Sequence, residues 1–503
     1  MSASRALRGL LQGYAEGVPE LSVSGVELDS RRIVPGGLFL ALRGHTRHGL
    51  AHAGEALKRG AAAVAWEPAL DLAPPQLQVP AIAVEDLGRR AGEIAARYWN
   101  HPSHGLYTVG ITGTDGKTST AHLLAQALER LGEPCGYFGT LGYGRLEALA
   151  DASHTTPDPV RMQALLAAQR EAGTRAFAME VSSHALDQGR VAGVEFDLAV
   201  LTNVGRDHLD YHGSIERYAA AKRRLFSWPG LRAAVLNRDD AHGAEWARSL
   251  SVPAEVTLYG IGGAPPARER HVLASGAELH AAGLRFQVQS SWGEARIDSR
   301  LLGRFNIYNL LAALACLLHH GVALKDAAAA LGDCDTVPGR IEGFRGRRAA
   351  PLVVVDYAHT PQALQQVLEA VRAHTAGKLW CVFGCGGDRD RGKRPLMGRA
   401  AAELADLAIV TDDNPREEAP ADIVKDILEG IPAELRDRVS VEHDRARAIE
   451  QAVRGAAADD VVLVAGKGHE DYQLYGSTTR HFSDREFVTG LLGYGIRDSG
   501  EQQ

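Results

Sequence analysis

Cysteine is scarce in this chain: its 503 residues include five, Cys135, Cys316, Cys334, Cys381 and Cys385. They are too few and too scattered for a disulfide framework, and no Cys-x-x-Cys or histidine pairing completes a zinc site, so they read as reduced thiols. Long apolar runs are missing too. No segment approaches the roughly 20 apolar residues that span a bilayer, and the opening MSASRALRGLLQGYAEG lacks the apolar stretch of a signal peptide. A cytoplasmic location is expected on that basis. Neither sign of charge dominates: 55 Lys and Arg stand against 62 Asp and Glu, a formal charge of -7. That balance gives no electrostatic reason to expect nucleic acid or an anionic membrane as a partner. Repeats and long low-complexity tracts are absent, although residues 68–80 form a proline-rich loop and the closing RDSGEQQ is polar enough to fray.

What is present is an ordinary globular composition, 45% apolar and 23% charged, in a chain too long for a single hydrophobic core. Three domains are expected, all α/β. Residues 1–100 mix short apolar runs, LFLAL (38–42) and AAAVAWE (61–67), with a turn at Pro35-Gly36-Gly37, and read as a small α/β domain. Residues 101–336 alternate the strands LYTVGIT, AFAMEV and DLAVLTNV with helical stretches, the pattern of a parallel-sheet nucleotide-binding domain. Residues 337–503 restart the alternation with PLVVVDY, KLWCVFG, LAIVTD and VVLVAG, which predicts a second doubly wound, Rossmann-like domain.

The sharpest local signal lies at residues 113–119. The strand LYTVGIT runs into Gly113-Thr114-Asp115-Gly116-Lys117-Thr118-Ser119 and then into a helix whose Ala121, Leu124, Ala125, Leu128 and Leu131 share one face. Strand, glycine turn and helix are the setting of a phosphate-binding loop, in which backbone N–H groups curl around phosphate oxygens. Lys117 brings positive charge to the terminal phosphates, and Thr118 offers a hydroxyl to Mg²⁺. Ile111 stands where the longer form of the motif has glycine, so the match is to a shorter variant. ATP is the expected ligand. Glu180 closes the strand AFAMEV and His208 lies just past DLAVLTNV, so both are placed to project from the ligand-binding edge of the sheet, as candidate Mg²⁺ ligands. His208 is chemically the less expected of the two, and by position alone it equally caps a loop. Lys222, among Lys and Arg neighbours in RYAAAKRRLF, is indistinguishable by spacing from a solvated charge.

The ordered set GTDGKTS, EVSSHALDQGR, TNVGRDHLDYHG, YAAAKRRLF, GRFNIYN, PGRIE, VDYAHTP, GGDRDRGKRP, DNPR and GKGHE resembles Mur ligases, and within them the diaminopimelate-adding branch. The resemblance spans nearly the whole chain. It implies domains for a UDP-sugar, for ATP and for the incoming amino acid, and an acyl-phosphate route in peptidoglycan precursor synthesis. Thr118, Glu180 and His208 become magnesium-site residues by this resemblance, and Lys222 matches a lysine that the family carries as a carbamate. Lys117, Lys222 and His208 form the implied catalytic group. Gly113 to Ser119, Asn306, Arg340 and Asp356 resemble ATP-contacting positions, with Asp356 matching a ribose contact. The UDP-MurNAc-dipeptide is assigned Leu28, Ser30, His45, Thr46, Arg47, Thr155, Thr156, Ser182, Gln188 and Arg190. Meso-diaminopimelate is assigned Arg389, Asp413, Asn414, Pro415, Arg416, Gly466 and Glu470.

Two positions depart from the family: Asp115 replaces an asparagine common in the loop, and His154 another before Thr155. The first sets a carboxylate near phosphate that requires a hydrogen-bonding or metal partner. Alternatives are a lysine-adding Mur ligase, against which DNPR argues, and a folylpolyglutamate synthase, against which the N-terminal block argues. A nucleotide-binding regulator that makes no bond is the non-enzymatic alternative. A monomer is expected, with no nucleic-acid partner and no insertion into a membrane.

Overall fold

The computed structural model describes residues 4–44, 47–69, 72–151, 155–250, 254–346 and 350–493. They form two compact units: one of residues 1–273, 290–293 and 309–330, the other of residues 274–289, 294–308 and 331–503. All five cysteines are buried and no disulfide links them. Among the described residues no helix is long and apolar enough to cross a membrane.

Besides an antiparallel ribbon of Arg5–Ala6 and Ser22–Val23, the first unit contains a four-stranded sheet and a larger one. Strands β1 (Val26–Glu27), β2 (Leu38–Ala41), β3 (Ala63–Trp66) and β4 (Ala81–Ala83) pair in parallel in that order. Their apolar runs are continuous because both faces are covered: β2 and β3 are buried at every position. The larger sheet has β5 (Tyr107–Thr112), β6 (Cys135–Gly139), β7 (Gly142–Arg145), β8 (Ala176–Glu180), β9 (Leu198–Leu201), β10 (Ala233–Asn237) and β11 (Glu255–Ile261). Their spatial order is β11-β10-β9-β5-β8-β6-β7, parallel apart from the β6–β7 hairpin. Strand β5 lies at the centre, so the carboxyl ends of its neighbours β8 and β9 flank the loop that follows it. This is the switch-point arrangement at which open α/β sheets bind ligands.

The chain continues through a meander, β12 (Arg270–His280), β13 (Gly283–Ser290) and β14 (Gly293–Ser299). The sheet of the second unit comprises β15 (Glu342–Arg345), β16 (Leu352–Asp356), β17 (Leu379–Phe383), β18 (Leu407–Val410), β19 (Val439–Val441) and β20 (Val461–Ala465), in the order β15-β16-β20-β17-β18-β19. All of its pairs are parallel except the edge pair β15–β16. Its core contains Val354, Leu368, Phe383, Val410, Ile427 and Leu463 on one face and Val355, Val382, Ile449 and Val464 on the other. A short hairpin, β21 (Tyr472–Tyr475) and β22 (Thr478–His481), follows.

The helix after the phosphate loop spans Lys117–Arg130, and Ala121, Leu124, Ala125 and Leu128 are buried as their spacing predicts. Leu131 departs from that prediction. It is the C-cap, 37% exposed, because Gly132 at φ +81° turns the chain away before the last position can pack.

Candidate functional site

The residues between β5 and the helix explain their own glycines. Gly113 (φ +154°) and Gly116 (φ +80°) have no space for a side chain: a Cβ would stand 1.8 Å from Thr202 Oγ1 at the first and 2.7 Å from Asn309 Oδ1 at the second. The loop is laced to the segment after β9. Thr114 N donates to Asn203 O (2.9 Å), Asp115 N to Asn203 Oδ1 (3.0 Å), and Thr202 Oγ1 to Asp115 O (2.6 Å). Lys117 folds back across it, its Nζ donating to the carbonyls of Gly113 (2.9 Å) and Thr114 (2.7 Å). Burial lowers the pKa of this ammonium. The Asp115 carboxylate acts in the opposite sense on both Lys117 and Lys222, so the charge foreseen as needing a partner has two lysines to favour.

Glu180 ends β8 with 1% exposure and sits at the centre of a converging set of donors. Thr118 Oγ1 donates to its Oε2 at 2.8 Å, while Tyr137 OH (2.5 Å) and Thr140 N (2.8 Å) donate to its Oε1. Desolvation, reinforced by this carboxylate, pushes the Tyr137 phenol up and keeps it a donor. Lys222 is also 1% exposed. Its Nζ donates to Gly113 O at 2.7 Å and lies 4.3 Å from the centre of the Tyr218 ring. Burial first, and the nearby Lys117 second, bring the Lys222 amine down to about 6. His208 begins a short helix at φ +51° with nearly half of its side chain exposed. Its ring meets His184 edge-on at 4.8 Å, and its Nε2 lies 3.5 Å from Asp207 Oδ2.

Thr118 and Glu180 supply adjacent oxygens that suit a hard divalent ion. Lys222 as an amine does not, and would fit only after conversion to an anion. Thus the structure brings Thr118 and Glu180 into direct contact, and Lys222 onto the loop, whereas His208 makes no hydrogen bond to either oxygen ligand.

Four of the residues assigned to the sugar nucleotide, Leu28, Ser30, Arg47 and Arg190, line two cavities in this unit. One, of about 570 Å³, is bordered by Leu28, Ser30, Arg32, Arg47, Glu55 and Asp158. The other, of about 400 Å³, is bordered by Arg32, Tyr143, Asp158, Arg161 and Arg190. Arg32 and Asp158 belong to both. Ser30 Oγ donates to Glu55 at 2.7 Å. Burial raises Glu27, on the first cavity, to about 7. Arg190 is aimed by Gln188 Oε1 (2.9 Å) and Thr156 O (3.1 Å), and Thr156 Oγ1 donates to Glu180 O at 3.1 Å, which ties this group to the magnesium candidates. Thr155 Oγ1 lies 3.3 Å from Thr140 Oγ1, and Ser182 caps a short helix through Ala185 N. His45, Thr46 and His154 lie outside the described residues.

In the second unit Asn306 is buried and donates to Leu302 O at 2.8 Å. The Arg340 guanidinium lies 5.0 Å from the centre of the Tyr357 ring. Asp356 accepts from Ile341 N (2.8 Å) on one oxygen and Ala358 N (2.7 Å) on the other, so its first task is to hold the PGRIE turn, where Ile341 sits at φ +44°. The DNPR turn and GKGHE come together as the sequence suggests. Asn414 Nδ2 donates to Glu470 at 3.3 Å, Gly466 (φ +120°) closes on Asp413, and Arg416 Nη1 donates to Gly387 O at 2.9 Å. Arg389 is exposed and touches only its neighbour's carbonyl, Asp388 O, among the described contacts.

Sequence reasoning missed Tyr137, Asn203, Asn309 and Lys467. Lys467 stood inside the quoted GKGHE motif but was passed over between Gly466 and Glu470. No signal marked it, because a solvated charge is the ordinary fate of a lysine at the edge of a polar motif.

Three family models match the chain: "Mur ligase family, catalytic domain" over residues 22–99, "Mur ligase middle domain" over 111–317, and "Mur ligase, glutamate ligase domain" over 339–468. Among curated proteins, the UDP-N-acetylmuramoyl-L-alanyl-D-glutamate--2,6-diaminopimelate ligase of Alkalilimnicola ehrlichii is 52% identical, covering 97% of this chain and 98% of the relative. The protein of the same name from Pseudomonas aeruginosa is 49% identical, covering 95% and 96%. A solved structure of a ligase of that name is 35% identical with a TM-score of 0.79, covering 97% of this chain and 99% of that one. A folylpolyglutamate synthase from Thermotoga maritima, 17% identical with a TM-score of 0.57, shares the fold over 75% of this chain. On identity and coverage together, this chain is a member of the Mur ligase family.

Proposed function

We propose that this chain joins meso-diaminopimelate to UDP-MurNAc-L-Ala-D-Glu at the expense of ATP, in peptidoglycan precursor synthesis. The observation that carries the reading is identity near 50% to relatives named for this ligation, over nearly the full length of both chains. The site chemistry agrees. The loop 113–119 presents N–H groups and Lys117 to the ATP phosphates, and the γ-phosphoryl group passes to the D-glutamate γ-carboxylate, releasing ADP. A carboxylate is a poor electrophile because oxide would have to leave, whereas phosphate leaves readily when the diaminopimelate amine attacks the acyl carbon. Arg190, held by Gln188 Oε1 and Thr156 O, supports the reading as a cation for the dipeptide's anionic groups.

Mg²⁺ held by Thr118 and Glu180, with His208 and a carbamylated Lys222, would supply positive charge for phosphoryl transfer when bound. Asn306, Arg340 and Asp356 are assigned to ATP, and Arg389, Asp413 to Arg416, Gly466 and Glu470 to the amino acid. We assign residues 1–100 to the UDP-sugar, 101–336 to ATP and 337–503 to the amino acid, in a monomeric cytoplasmic enzyme.

Phosphate release measured with the UDP-MurNAc-dipeptide and a panel of amino acids tests the reading. Release should require both substrates and be fastest with meso-diaminopimelate. Oxygen-18 placed in the γ-carboxylate should appear in the released phosphate; its retention in the product alone would refute the acyl-phosphate route.

A further inference from the structure

Lys467 is the unexplained charge of the second unit. Its side chain is 0% exposed, and it follows β20, whose residues are all buried. Three acceptors surround its Nζ: Glu470 Oε2 at 3.5 Å, Asn414 Oδ1 at 3.5 Å and Asp413 Oδ1 at 3.7 Å. The two carboxylates are not equivalent. Asp413 keeps 9% of its side chain exposed and is closed over by Gly466, where a Cβ would stand 2.8 Å from Asp413 Oδ2. Glu470 keeps 20% exposed. Arg445, the other buried cation nearby, is already held by Asp484 through two contacts of 2.7 Å. Arg445 also feels the charge of Asp413, but of the two cations only Lys467 forms an ion pair with it.

The same ammonium orients Asn414. The amide oxygen accepts from Lys467 Nζ and from Leu474 N (3.0 Å), which turns Nδ2 toward Glu470. Two carboxylates and one ammonium leave a single net negative charge, and the more exposed Glu470 carries it. A buried charge that loses its partner is costly, and two adjacent carboxylates cannot both stay ionised cheaply.

We propose that Lys467 is a positioning residue: it cancels Asp413 and leaves Glu470 as the one carboxylate presented to an ammonium group of the incoming amino acid. The proposal rests on the diaminopimelate ligase reading. It predicts opposite-signed coupling in a double-mutant cycle. Asp413→Asn leaves Lys467 free to neutralise Glu470, and Lys467→Met leaves two facing carboxylates, so each single change should raise KM for diaminopimelate by about 30-fold or more. The double variant removes one charge of each sign and restores the single negative charge, so its KM should return to within about tenfold of the wild type. KM for ATP should stay within about threefold throughout.

The experiment is steady-state kinetics on the full-length enzyme and these three variants, varying each substrate in turn, with thermal denaturation alongside. A double variant no better than the worse single, or a parallel rise in KM for ATP and for the UDP-sugar, would overturn the proposal. Should Lys467→Met not fold, the double variant against Asp413→Asn alone still decides, because only charge cancellation makes the second substitution beneficial. A wild-type enzyme that ignores diaminopimelate would instead overturn the ligase reading.

Discussion

Lys222 gives the most demanding test. A carbamate forms only from a neutral amine, and an ordinary lysine with a pKa of 10.5 is protonated about a thousand to one at pH 7.5. Burial and the proximity of Lys117 bring Lys222 to about 6, which favours the neutral form by about thirty to one at the same pH. The fold thus raises the reactive fraction by roughly three orders of magnitude before CO₂ arrives. On the proposed reading, carbamylation would remove the electrostatic conflict with Lys117 and turn the amine into an oxygen ligand at the loop, where Lys222 Nζ now donates to Gly113 O.

The perturbation is removal of CO₂. Enzyme held in degassed buffer should lose activity and regain it with bicarbonate, and ¹³C-bicarbonate should give a carbamate carbon resonance that is absent from Lys222→Ala. That variant should fold and lose activity by about 100-fold or more, the scale of a lost charge-stabilising group. A short carboxylic acid should restore part of it. The reasoning fails if Lys222→Ala keeps near-normal activity, or if the labelled enzyme shows no carbamate and ignores bicarbonate.

Other outcomes follow from the same geometry. Gly113→Ala and Gly116→Ala should each lower kcat/KM by about 100-fold through displacement of the loop, since both sites place a Cβ against Thr202 or Asn309; near-normal kinetics would show that the loop yields. Arg416→Ala should cost meso-diaminopimelate most of its kcat/KM and lysine little, because a fork built for a carboxylate discriminates by about 10⁴ against an analogue lacking it; equal small losses would reduce Arg416 to a turn residue. His319 accepts or donates at 2.7 Å to Thr257 Oγ1 and is brought down to about 4 by burial. The unfolded chain therefore binds a proton that the fold refuses between pH about 6.5 and about 4, so stability is complete above that window and falls as pH drops through it. Urea denaturation across the window should show this slope, and His319→Gln should flatten it.

The sheets were the most legible feature of the sequence because buried parallel strands must be apolar at every position, and LFLAL, VVVDY and VVLVAG announce that directly. The phosphate loop was legible for a related reason. Its glycines are required by backbone geometry and by the close approach of Thr202 and Asn309, and a geometric requirement leaves a compositional mark. Leu131 shows the limit of periodicity, which continues a helical face past the point where a glycine ends the helix.

Roles that depend on distant neighbours were not legible. Lys222 and Lys467 are both lysines at the edge of polar motifs, and a solvated charge is the ordinary fate of such residues. What separates them is burial created by segments far away in the chain: Gly113 is 109 residues from Lys222, and Asn414 is 53 from Lys467. A buried ammonium survives only by losing its proton or by holding a counter-charge. Lys222 beside a second lysine is driven to the first outcome, and Lys467 between two carboxylates is held to the second. On the proposed readings one residue type would serve two chemistries in one chain, a nucleophilic amine at the glycine loop and a fixed cation beside Asp413 and Glu470, with the neighbours deciding which.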